Sequence, residues 1–242
     1  MKTLQIILIT LASLTGCTKK TVNKPSATTN TTNSNTTMTT VDSLNYLALG
    51  DSYTIGEAVP QSQSYPYQLV NSLNTHSFTV KPPTIIATTG WTTDDLIDAI
   101  SKSSIHPKKY DFVTLLIGVN DQYQQLSQDN YKIKFAEVLN TAITFANGDT
   151  SKVFVLSIPD YGVTPFASGQ DGVIGPQIDQ FNAINKSISM AADVNYLDIT
   201  AISRLAATNP TLIAPDGLHP SGKMYMLWVN LLEPMVAARL KK

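Results

Sequence analysis

The chain has 242 residues, 43% of them hydrophobic and 14% charged, enough apolar material for one large domain and too little for more than two. Its 17 basic and 18 acidic side chains leave a formal net charge of -1, which excludes the basic footprint of a nucleic-acid binder and points to a small-molecule partner. One cysteine and three histidines exclude a disulfide framework and a Cys/His zinc cluster, so no metal or other cofactor is expected.

Lys2 precedes an apolar run over 4–14 that is too short for a finished membrane span, and residues 1–17 are expected to be a signal peptide. The run ends in Leu14-Thr15-Gly16-Cys17, which resembles a bacterial lipobox. That resemblance implies cleavage before a lipidated Cys17, and hence a cell-envelope protein anchored to a bacterial membrane, facing the periplasm or the exterior. Two or three acyl chains hold far more firmly than one. Residues 18–40 are nearly all Thr, Asn, Ser and Lys and cannot offset the ordering entropy of a fold, so they are expected to be a disordered tether.

From 41 to 242 apolar runs alternate with amphipathic segments, the pattern of a parallel sheet between helices. The runs predict strands over 45–49, 79–87, 112–117, 153–158 and 195–199. Three-to-four-residue apolar spacing predicts helices over 66–73, 94–100, 130–146, 176–192 and 222–240. Five such βα units form an α/β domain, whose active groups belong on loops at the carboxyl ends of the strands.

Four motifs occupy such loops. Gly50-Asp51-Ser52-Tyr53 puts a serine at the first strand end, although Asp and Ser there are also ordinary turn and capping chemistry. Thr88-Thr89-Gly90-Trp91 follows the second strand, where a glycine N–H can face the crevice or merely precede a helix capped by Thr92 or Thr93. Gly118-Val119-Asn120-Asp121 follows the third. Asp216-Gly217-Leu218-His219-Pro220 precedes the last helix, with an aspartate spaced to hold Nδ1-H and leave Nε2 free for a serine proton. His76 and His106 lack such support and read as surface residues. Residues 217–223 also fit the glycine and lysine spacing of a phosphate-binding loop, but Met224 stands where Ser or Thr must hold magnesium.

In this order and over this span the four motifs resemble the sequence blocks of SGNH (GDSL-type) hydrolases. The resemblance implies a three-layer αβα sandwich, flavodoxin-like, with a five-stranded mostly parallel sheet. It implies a serine ester hydrolase in which Ser52 is nucleophile, His219 base and Asp216 its orienting group. The Ser52 and Gly90 N–H groups and the Asn120 amide would form the oxyanion hole, with Asp51 and Asp121 structural. Small-molecule or glycan esters are the expected substrates. Lysophospholipase or thioesterase activity of the same fold stays open, as does a non-catalytic glycan-binding module, and nothing encodes the oligomeric state. The segment 160–176 is the longest candidate lid, rich in Gly and polar residues with Tyr161 and Phe166 its aromatics, which favours short acyl groups. Trp91 is either a further wall or packing for the helix that follows.

Overall fold

The computed structural model describes residues 43–241. The expected signal segment, Cys17 and the tether lie outside the described residues. Five strands, β1 (Tyr46–Gly50), β2 (Thr84–Ala87), β3 (Phe112–Leu116), β4 (Val153–Leu156) and β5 (Asn195–Leu197), form one sheet in the order β2-β1-β3-β4-β5. Every neighbouring pair is parallel, with Ala48 of β1 between Ile85 and Thr114. Strands β1, β3 and β4 are buried along their whole length, as expected of uninterrupted apolar runs covered on both faces.

Helices α2 (Tyr65–Thr75) and α8 (Gly222–Leu240) pack together as one layer, and α3 (Thr93–Lys102), α5 (Gln128–Phe145) and α6 (Asp171–Ala191) form the other. Under the first layer the rings of Tyr65, Tyr225 and Trp228 pack within 5.0–6.5 Å of one another, and all three are fully buried. Strand order reverses between β1 and β3, and in open parallel sheets the crevice at that switch point is where ligands bind. Three short helices complete the set: α1 (Ser52–Ile55) after β1, α4 (Val119–Tyr123) after β3, and α7 (Thr200–Arg204) after β5.

Most expected boundaries shift by one or two residues, and two move by five. Strand β2 starts at Thr84 and not at 79, because Pro82 and Pro83 have no N–H for the ladder; a single bridge from Val80 to Leu44 is all that precedes it. Helix α6 starts at Asp171 and not at 176. Pro176 looks like a first-turn residue, yet the helix carries it in its interior. The expected lid over 160–176 therefore shrinks to 160–170.

Candidate active site

Gly50 ends β1 where backbone and helix meet closely: a Cβ there would stand 2.1 Å from Thr54 Oγ1 and 2.3 Å from the Leu116 carbonyl. The missing side chain lets Thr54 of α1 and the Leu116 carbonyl of β3 both close on Gly50, and seats Ser52 at the switch point. Asp51 caps α1, its Oδ1 accepting the Tyr53 N–H at 3.0 Å. Its Oδ2 is buried without a protein partner. Desolvation by burial dominates, with the Asp121 charge adding to it against a backbone hydrogen bond, and the Asp51 carboxyl is pushed up to about 8. The Ser52 N–H, at the first position of α1, is one of the amides a helix leaves without an intrahelical acceptor.

After β3, Gly118 takes φ +125°, a conformation that disfavours side chains, and the Tyr131 hydroxyl lies 2.6 Å from where a Cβ would sit. This turn starts α4 and aims Asn120 into the crevice. Asn120 Nδ2 donates to the Trp91 carbonyl at 2.9 Å, which fixes the amide and leaves its second N–H for a ligand. Asp121 accepts from the Thr93 N–H at 2.9 Å and the Thr93 hydroxyl at 3.0 Å, tying α4 to the start of α3. Both motif aspartates thus hold backbone in place.

The loop before α8 is folded around Asp216. Its Oδ1 accepts the N–H groups of Leu218 and His219, each at 3.0 Å, and its Oδ2 lies 2.6 Å from His219 Nδ1. His219 Nε2 lies 3.0 Å from Ser52 Oγ. A carboxylate at Nδ1 fixes the hydrogen there, so Nε2 presents its lone pair to the hydroxyl. Partial burial acts to raise Asp216, but the hydrogen bonds from His219 and from the Leu218 and His219 amides outweigh it and hold the carboxyl below its usual range. Tyr53 meets the imidazole edge-on at 5.6 Å and 62°, so the ring is braced from a second side.

Ser52 and His219 form the floor of a cavity of about 170 Å³. Tyr53, Val119, Asn120, Leu218 and the buried Tyr161 line it further, and the exposed Tyr123 and Phe166 mark its rim. The rim segment is held on one side by Asp160, which accepts the Gly162 N–H and pairs with Arg204 at 2.9 Å. On the other side the Phe166 N–H donates to the Gly217 carbonyl at 3.0 Å, joining the rim to the loop that carries Asp216 and His219. Phe166 and Tyr161, read from the sequence as lid aromatics, therefore face the site.

The remaining candidates sort by place. Gly90 takes φ +83° on an exposed turn where a Cβ would meet open space; it does not line the cavity and is linked to it through Trp91, whose carbonyl holds Asn120. Trp91 is half-buried and packs on the core; it lines no wall. His76 and His106 are exposed. Tyr123 went unremarked in the sequence, although it stands three residues after Asn120 and therefore shares its helix face. A larger open groove of about 1040 Å³ runs past Gln68, Asn71, Ser221 and Lys223. It contains none of Ser52, Asp216 or His219, so the chemistry places the site in the smaller cavity. Among the described residues no group of three His, Cys, Asp or Glu can hold a metal, and no helix is long and apolar enough to cross a membrane.

A five-stranded parallel αβα domain with a serine at its first strand end and an Asp-x-x-His loop before its last helix defines the SGNH class of carboxylic ester hydrolases. The chain belongs to the GDSL-like lipase/acylhydrolase family, whose sequence pattern matches residues 48–227. Solved structures agree in fold. A lipase/acylhydrolase from Enterococcus faecalis superposes with a TM-score of 0.64 at 20% identity, over 82% of this chain and 97% of that one. A single-residue variant of an acetyl xylan esterase from Geobacillus stearothermophilus gives 0.63 at 19%, over 80% and 94%. A psychrotrophic esterase from Pseudoalteromonas sp. gives 0.62 at 13%, over 82% and 100%. No curated protein matches the sequence.

Proposed function

We propose that this ester hydrolase acts through an acyl-enzyme on Ser52 and takes short-acyl esters or acetylated glycans. The observation that carries the reading is the chain from Ser52 Oγ through His219 to Asp216, at 3.0 and 2.6 Å, on the floor of the cavity. A serine hydroxyl is a weak nucleophile until a base takes its proton during attack. His219 Nε2 is that base, and Asp216 holds the tautomer and stabilises the imidazolium. The Ser52 N–H and the free Asn120 N–H receive the oxyanion, where each donor is worth about 10²–10³ in kcat. Protonated His219 then gives its proton to the leaving alcohol, and water activated by the same nitrogen releases the acid.

A cavity of about 170 Å³ buries few methylenes, and each one left outside forfeits about 0.8 kcal/mol. This supports short acyl groups over lipid chains. That a structural neighbour is an acetyl xylan esterase supports the glycan side of the proposal. The deciding experiment is Ser52→Ala assayed for ester hydrolysis and fluorophosphonate labelling. Both should vanish with the fold intact by circular dichroism, and unchanged turnover would sink the mechanism.

The cellular address is a further part of the proposal and rests on Cys17 at the end of the apolar segment. The expressed protein should partition into the detergent phase, and Cys17→Ser should accumulate unprocessed or leave the membrane. A wild-type protein found wholly in the aqueous phase would remove the anchor.

A further inference from the structure

Tyr123 and Phe166 are 55% and 53% exposed, and they are the two aromatics among the large apolar side chains that the described residues leave open to solvent. Both stand at the mouth of the Ser52 cavity. Their rings lie 6.3 Å apart at 47°, and the buried Tyr161 meets Tyr123 edge-on at 6.1 Å and 68°. Such exposed apolar surface, concentrated at one opening, marks a place where something apolar binds.

Size and shape narrow what that is. The cavity holds about 170 Å³, close to the roughly 150 Å³ of an apolar cavity that accepts one benzene molecule. A linear acyl chain of equal volume gives up rotamer freedom to coil into that space, whereas a flat ring enters already shaped for it. Aromatic walls favour the ring again, since ring pairs at about 4.5–7 Å gain from edge-to-face and offset contacts beyond the area they bury.

We propose that this cavity is a subsite for a flat six-membered acyl group of the benzoyl type, with Tyr123, Tyr161 and Phe166 as its specificity-determining walls. The proposal rests on the serine-esterase reading. In the first step Ser52 Oγ bonds to the acyl carbon, its proton passes to His219 Nε2, and the ester C–O bond breaks as the alcohol leaves with that proton. In the second, the oxygen of water replaces Ser52 Oγ on the acyl carbon, and a proton from that water returns through His219 to Ser52 as the aromatic acid departs.

The test is kcat/KM of the full chain on p-nitrophenyl benzoate and p-nitrophenyl hexanoate, each divided by the alkaline hydrolysis rate of the same ester. Fluorophosphonate labelling of Ser52 is followed in parallel. The normalised ratio should exceed three and reach about ten, because each ring pair is worth about two- to twelvefold. Phe166→Leu and Tyr123→Leu, both at exposed positions where the fold tolerates change, should each lower the ratio about threefold or more. A ratio of three or less in a chain that still labels at Ser52 overturns the subsite and leaves the esterase standing. A high ratio that survives both substitutions overturns these walls. A chain that neither labels nor turns over either ester overturns both readings.

Discussion

The turn after β1 and the loop before α8 each set an aspartate beside a reacting side chain, and they set it in opposite states. Asp51, next to Ser52, is buried with one oxygen unpartnered, and burial pushes its carboxyl up to about 8. Asp216, three residues before His219, is partly open to solvent and collects hydrogen bonds from two amides and the imidazole, which hold it ionised. The same residue type thus serves as a neutral brace in one region and as a charge in the other. Environment divides the labour.

The comparison is broken most decisively at Asp216. His219→Ala should lower kcat by about 10⁴ or more by removing the base, and Asp216→Asn by about 10³ through the wrong tautomer, though the side chain keeps its shape. Steady-state kinetics on a short p-nitrophenyl ester measure both, and an Asp216→Asn enzyme within tenfold of wild type would mean that its charge is not used. Asn120→Ala, which removes one oxyanion donor, should cost about 10²–10³ in kcat with little change in KM.

Smaller effects sharpen the contrast. Across p-nitrophenyl esters from acetate to palmitate, kcat/KM should peak at six carbons or fewer and fall about tenfold by decanoate. A maximum at decanoate or beyond would favour a lysophospholipase. The smallest effect lies in the pH dependence of Tm. Between about pH 4 and pH 8 unfolded Asp51 has lost its proton while folded Asp51 keeps it, so the native state binds more protons and stability falls as pH rises. Asp216 works the other way: its contribution is present above the usual carboxylate pKa and is lost only as pH falls below it. Asp51→Asn, which retains an acceptor for the Tyr53 N–H, should flatten the Tm decline between pH 5 and 8. An unchanged slope would place its cause elsewhere.

Much of this was legible in the sequence because it is local. Strand β1 is a continuous apolar run ending in Gly50, and Asp216 with His219 is a three-residue spacing on a turn between prolines; each carries its geometry in its own neighbourhood. Likewise the spacing-predicted helix over 222–240 matches α8 at its observed bounds, since its apolar spacing is contiguous. What escaped depends on distance. The cavity joins Tyr123 of α4 to Tyr161 and Phe166 beyond β4, and no periodicity links segments about forty residues apart. The neutral state of Asp51 is set by burial beneath other elements, which a motif does not record. The late start of β2 was readable from Pro82 and Pro83, but the apolar pattern of 84–87 masked it.

The hydrogen bond from the Phe166 amide to the Gly217 carbonyl has an evolutionary consequence. It makes the wall that measures the substrate and the loop that aligns the base one mechanical piece. Substitutions in the rim and in the Asp216–His219 loop should therefore be epistatic: neighbours that share a partner do not add their effects. A lineage changing its acyl preference through the 160–170 segment would disturb base alignment on the way, and would need a compensating change near Gly217 to recover its rate. Diversification of such a site proceeds in coupled pairs of steps, and rim changes accepted singly are those that leave the Phe166 backbone where it is.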